Sequence, residues 1–375
     1  MPPRRRNRTR RYGPWIIVTV VVVVALVASF GIAWAGAGAL LTPDHRIATS
    51  AGTVQSVTSD TITLQKRAST LRVGTYGLEW TGGSAILGPI EHQTTSTVTR
   101  GFEPVNGQLR RGTHVILNPD VWSGNPESSL GIPFKNVDVP DPLGDMPAWK
   151  VDGHGSTWVI FVHGIDGERQ GGLRPLPTLA AAGLPTLLIT YRNDVGAPPS
   201  PNGLFHLGLT EWHDLQAAAE YAVAHGASKF ILYGDSMGGS IVTQFIRHSS
   251  LASRVIGMVL DSPVLDWSGV LQGQADRYGM PEAGPLLKLI VSLRGGIDLP
   301  ALDELDHTKA FRGIPTLLFQ GLSDKLVPPP ESAAFAHAVG AEYVPVRFAG
   351  HIQSWNVNPK SYDEHLAAFL KRLGF

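Results

Sequence analysis

Hydrophobic positions fall along this chain in three textures, and each predicts a different kind of structure. Trp15 to Leu41, WIIVTVVVVVALVASFGIAWAGAGALL, is an uncharged apolar run with no polar face. From Thr42 to about Val121, short β-branched runs are separated by Thr, Ser and Gly: TVQSVTSDTITLQ reads as a hairpin about Ser59-Asp60, and STLRV, STVTR and THVILNP as further strands. A linker rich in Pro and Gly, NPESSLGIPFKNVDVPDPLGDMPAW, follows and has room for the first strands of the next region. From Trp158 onward the continuous apolar runs WVIFVHG, PTLLITY, KFILYG, VIGMVLD and PTLLFQG alternate with the helical stretches LPTLAAAG, EWHDLQAAAEYAVAHG and ESAAFAHAVG, each closed by a glycine. Strands apolar on both faces are buried on both faces. The alternation therefore predicts an α/β fold, a mostly parallel sheet with helices on both sides. Between Val264 and Arg312 it breaks, and helical stripes such as Pro285 to Leu293 make a candidate lid or an ordinary connecting helix. The expected organisation is a basic segment 1–14, an apolar helix 15–41, a small β-rich region 42–121 and an α/β domain 122–375 with the candidate lid at 264–312.

Charge refines the reading of the first texture. Arg4, Arg5, Arg6, Arg8, Arg10 and Arg11 all precede the first acid, Asp44. The apolar run after them exceeds the roughly 20 residues that cross a bilayer as a helix, and Trp15 and Trp34 stand where interfacial aromatics are expected. These features predict a single-pass transmembrane signal anchor in the cytoplasmic membrane, with the arginines inside and everything after Leu41 on the extracytoplasmic side. A cleaved signal peptide is the rival, since Ala33-Trp34-Ala35 and Ala35-Gly36-Ala37 offer the small-residue pattern, although the run is long for a signal h-region. A buried helix of a soluble protein ranks third. Over the whole chain 31 basic residues balance 31 acids, so no nucleic-acid partner is expected. The absence of cysteine excludes disulfides, thiolate metal sites and a cysteine nucleophile.

The chemistry concentrates in KFILYGDSMGGSIVTQFIRH, Lys229 to His248, which reads as strand, turn and helix. Its turn, Gly234-Asp235-Ser236-Met237-Gly238, has the form G-x-S-x-G. Between a strand and a helix this spacing forces the chain round so sharply that the serine hydroxyl stands clear of the sheet, and glycines are needed on either side. A serine nucleophile needs a base and an orienting acid, and two later strand ends offer them: Asp324 after PTLLFQG, and His351 after EYVPVRF. Asp261, at the end of VIGMVLD, is the competing acid. Glu211, His213 and Asp214 do not have the spacing of a metal-binding helix and read as helix-start caps. Neither a metal nor a cofactor is expected. The loop Arg192, Asn193 and Asp194 lies beyond another strand end and is a candidate lining of the same cavity.

From roughly Val137 to the C-terminus the chain resembles the α/β-hydrolase superfamily, through FVHG at Phe161 to Gly164, YGDSMGG at Tyr233 to Gly239, GLSDKLVP at Gly321 to Pro328 and AGH at Ala349 to His351. YRND, LGLTEWHDL and GHIQSWN are similar to a membrane-anchored bacterial branch of it. The resemblance implies that Ser236 attacks an acyl carbonyl, His351 relays the proton and Asp324 holds the imidazole. It implies an oxyanion hole made by the backbone N–H groups of Met237 and Ile165, with His163 shaping the second loop. The expected activity is that of a serine hydrolase acting on an ester, an amide or a peptide. A non-catalytic binding module and an acyltransferase using the same residues are the alternatives, and the expected partner is a small-molecule, acyl or peptide substrate.

Overall fold

The computed structural model describes residues 13–44 and 51–375. It opens with helix α1 (Gly13–Leu41). Six strands follow: β1 (Gly52–Val57), β2 (Thr61–Gln65), β3 (Tyr76–Trp80), β4 (Gly83–Gln93), β5 (Thr97–Asn106) and β6 (His114–Asn118). All pair antiparallel and close into a barrel in the order β1-β2-β5-β4-β3-β6. Alternate residues point inward, among them Val54, Ile62, Leu64, Leu78, Leu87 and Val98, and fill the barrel with a core of its own. The β1–β2 hairpin turns about Ser59-Asp60. Ser69 to Val73 is not a strand. There the buried Thr70 hydroxyl bonds the Gln65 carbonyl (3.0 Å) and accepts from the Arg67 amide (2.9 Å), a local turn that outcompetes the ladder.

A short helix α2 (Pro126–Leu130), capped by the Asn125 side chain, leads into the second sheet. That sheet has eight strands: β7 (Lys135–Val139), β8 (Met146–Val151), β9 (Thr157–Val162), β10 (Thr186–Ile189), β11 (Lys229–Asp235), β12 (Val255–Asp261), β13 (Thr316–Gly321) and β14 (Glu342–Val346). Their order is β14-β13-β12-β11-β9-β10-β8-β7. The six from β14 to β10 run parallel, and β8 and β7 add an antiparallel edge. In β9 every residue is buried. Trp158, Ile160 and Val162 face one apolar core, and Val159 and Phe161 face the other. Helices cover both faces: α4 (Trp212–Ala224), α5 (Met237–His248) and α8 (Pro329–Val339) on the first, α3 (Leu176–Ala181) and α10 (Pro359–Leu373) on the second. The short α9 (Ser354–Val357) precedes α10. Between β12 and β13 the chain makes α6 (Trp267–Arg277) and α7 (Gly284–Gly295), which pack on the first face.

The expectation of a transmembrane helix followed by a small β-rich region of unspecified architecture is corrected in the first part and sharpened in the second. The β-rich region is a closed barrel, because β1 also pairs with β6. Among the described residues, no helix is long and apolar enough to cross a membrane. The signal anchor, the membrane partner and the placement of the later residues on the extracytoplasmic side of a cytoplasmic membrane are withdrawn with it. Part of the apolar run has another task that periodicity along the chain does not reveal. Ala33, Ala37 and Leu41, spaced one turn apart, are buried in the core of the α/β domain. The Arg294 side chain of α7 bonds the Trp34 carbonyl (3.1 Å) and lies over its ring (4.8 Å). Further upstream Ile17, Val20, Val24 and Val27 stand exposed. Most of the basic segment 1–14 lies outside the described residues.

Candidate active site

Ser236 sits between the end of β11 and the start of α5 with φ 53° and ψ −117°, a conformation that side chains rarely adopt. Neighbouring backbone holds it there: its amide donates to Asp261 O (3.0 Å), and its carbonyl accepts from Gly239 N (2.9 Å) and Val264 N (3.0 Å). The two glycines of the turn have separate reasons. A Cβ on Gly234 would stand 2.6 Å from Gly238 O, and one on Gly238 only 2.1 Å from Val162 O. Gly164, across the turn, leaves room for Ser236 itself, whose Cβ would lie 2.9 Å from any added carbon.

Three predicted residues meet here although they come from three strand ends. Ser236 Oγ lies 2.8 Å from His351 Nε2, and His351 Nδ1 lies 2.8 Å from Asp324 Oδ2. The other Asp324 oxygen accepts the amides of Leu326 (2.8 Å) and Val327 (3.0 Å), so the carboxylate is fixed before it meets the imidazole. The competing acid is turned away. Asp261 accepts from Ser262 Oγ (3.0 Å) and Ser354 Oγ (3.1 Å), and burial pushes its carboxyl up to about 6. Asp235 is likewise pushed up by burial, against the pull of the Arg174 guanidinium 3.2 Å away.

The second oxyanion donor expected from the sequence, the Ile165 amide, has no hydrogen-bond partner among the described residues. Its peptide is held from the other end. Gly164 O accepts from Tyr191 OH (2.7 Å) and Gly167 N (3.0 Å), and His163 Nδ1 lies 2.8 Å away. A trans peptide points its N–H opposite to its carbonyl, so these bonds orient Ile165 N–H away from them. The other His163 nitrogen lies 2.9 Å from Asp194 Oδ2. Burial pulls the His163 imidazole down, but the Asp194 carboxylate and the Gly164 carbonyl outweigh it and leave it above its ordinary value. Met237 opens α5, where the first amides have no partner within the helix.

Some expectations fail. Arg192, Asn193 and Asp194 do not line the cavity at Ser236: Arg192 Nη2 pairs with Asp214 (2.6 Å), Asn193 bonds Leu204 O (3.0 Å) and Asp194 serves His163. Glu211 accepts the amides of His206 (2.6 Å) and Gly208 (2.9 Å). Other residues were missed. Arg174, buried, reaches Ile352 O (2.8 Å) just after His351, Asn356 Oδ1 (3.2 Å) in α9, and Asp235 beside the serine. Nothing in its local sequence marks it. Helix α1 was read as an anchor, yet it forms one wall of a cavity of about 550 Å³ that opens at Ser236.

The barrel coincides with a match to a family described as a domain of unknown function (DUF8805), over residues 53–118. Comparison with curated proteins gives no match. Among solved structures, an esterase of Pyrococcus furiosus aligns over 67% of this chain and 94% of its own with 21% identity and a TM-score of 0.53. DcsB, solved in complex with its substrate analogue, aligns over 64% of this chain and 99% of its own with 17% identity and a TM-score of 0.51. At such identities the likeness carries the architecture and nothing finer. The eight-stranded sheet and its helices have the α/β-hydrolase fold.

Proposed function

We propose that this chain is a serine hydrolase that cleaves carboxylic esters through an acyl-enzyme on Ser236. The observation that carries the reading is the continuous line of two 2.8 Å hydrogen bonds from Ser236 Oγ through His351 to Asp324. Similarity of fold to an esterase supports it. In the first half-reaction Ser236 Oγ attacks the ester carbonyl carbon while its proton passes to His351 Nε2. Asp324 keeps the proton on Nδ1, so that Nε2 is free to accept, and stabilises the imidazolium that forms. The carbonyl oxygen becomes an oxyanion, and the amides of Met237 and Ile165 stabilise it. His351 then gives its proton to the departing alkoxide, which leaves as the alcohol. Water repeats the sequence on the acyl-enzyme, with His351 as base, and releases the acid.

Replacing Ser236 by Ala tests the reading. Hydrolysis of a short-chain aryl ester should fall by a factor on the order of 10⁶, the scale of loss when a serine nucleophile is removed. Circular dichroism of the variant should match the parent, since Ala carries no larger side chain into the turn. Hydrolysis at the parent rate would refute the mechanism. A folded parent that turns over no ester, and whose Ser236 reacts with no acylating probe, would point to a binding module that keeps the fold.

A further inference from the structure

We propose that the cavity at Ser236 is an acyl-chain site built in part from helix α1, and that the preferred substrates are esters of extended hydrocarbon acids. This deepens the reading of Ser236 as nucleophile and rests on it. The cavity, about 550 Å³, lies between α1 on one side and α6 and α7 on the other, within the size range of sites that enclose small molecules. From α1 it takes Ile32, Gly36 and Leu40, one stripe at four-residue spacing. The facing helices contribute Val270, Leu271 and Leu287. No Asp, Glu, Lys or Arg lines it, and besides Ser236 the lining side chains with polar atoms are Gln274, Tyr278 and Trp267, whose indole N–H is committed to Leu207 O (2.8 Å). The Gln274 amide nitrogen is already committed to Lys325 O (2.9 Å), and Tyr278 is exposed. An occupant with polar groups would lose water and gain few partners, whereas a hydrocarbon loses nothing.

Position decides which half of the ester goes in. Ile165, bearing the second oxyanion amide, lines the cavity, while His351 does not. The leaving alcohol must face His351 to take its proton. What fills the α1 side is therefore the part that stays on Ser236, the acyl chain.

The test compares kcat/KM of the full chain for p-nitrophenyl acetate and octanoate. Each buried methylene is worth about fourfold, or about 0.8 kcal/mol, so octanoate should lead by at least about tenfold even if only part of the chain is enclosed. Gly36→Phe fills the space from α1: its Cβ meets only Leu287 Cδ1, at 3.6 Å, so the ring has to occupy the cavity. The octanoate-to-acetate ratio should then drop by at least about tenfold. Leu287→Ala enlarges the same space from the lid side and should move the optimum to a longer chain, and it decides the matter if the Gly36 variant does not fold. A preference for acetate, or a chain-length optimum along a series of p-nitrophenyl esters that Leu287→Ala does not move, overturns the acyl site. If Ser236 still reacts with a fluorophosphonate, the nucleophile assignment survives that result. A folded protein showing neither reaction nor hydrolysis loses both.

Discussion

Any side chain at Gly238 would collide with Val162 O, and the serine two residues before it is held at positive φ by three backbone bonds. The strain is local and sits where chemistry is proposed, a recurrent pattern at reactive residues. His163 shows a second kind of commitment. Both its ring nitrogens lie against oxygens, Gly164 O at 2.8 Å and Asp194 Oδ2 at 2.9 Å, surroundings that favour the protonated form of the buried ring. Its value in the folded chain is raised above the ordinary one. A group of this kind contributes stability fully below its unfolded value, about 6.5, and loses it as pH rises through the folded value. The melting temperature of the parent should therefore exceed that of His163→Gln most near about pH 6, and the gap should narrow toward alkaline pH. Thermal denaturation across pH checks this: a gap constant with pH would show that folding leaves the ring's value unshifted, and a gap that widens toward alkaline pH would show that the ring is held neutral. Ser236, Asp324 and His351 were legible as a set because each lies on the loop beyond the end of a strand, where the chain direction fixes the side of the sheet. Arg174 was not, since its partners Ile352 and Asn356 are distant in sequence and only folding joins them.

Among the elements, the contact of the barrel with the histidine loop is the least expected. Asn356, fully buried, donates to Thr75 O (2.8 Å) and Pro119 O (2.7 Å), and its own carbonyl accepts Thr75 N (2.8 Å). Tyr76 OH adds a bond to Gln353 (3.2 Å). The barrel thus grips the segment that follows His351. Asn356→Ala would strand Thr75 O and Pro119 O and leave Arg174 Nη1 with Ile352 O alone of its two acceptors, and should destabilise the chain by about 1–3 kcal/mol in urea denaturation. Ester turnover should fall as well, because small displacements of a reacting group are costly. Stability within about 0.5 kcal/mol of the parent would show the grip to be incidental. The β-branched runs revealed that strands were present here. Closure of the barrel depends on β1 pairing with β6, which residue alternation within each strand does not encode. For Ser69 to Val73, side-chain bonding by Thr70 overrode β propensity.

At the scale of the whole molecule, barrel, α1 and the α/β-hydrolase fold converge on one cavity and one loop. Alternation of apolar strands and helices made the larger fold readable, because burial on both faces leaves a continuous signature. Helix α1 shows the limit of that method. An apolar run has the same appearance whether lipid or protein is to cover it, and Ala33, Ala37 and Leu41 are covered by the protein's own core. All these parts matter for function only if Ser236 is activated by His351 and Asp324. The most direct measurement is reaction of the full chain with a fluorophosphonate probe, with the modified residue located by mass spectrometry. Modification at Ser236 that disappears in His351→Ala is the predicted result. Modification elsewhere, or at Ser236 with no dependence on His351, would contradict the account.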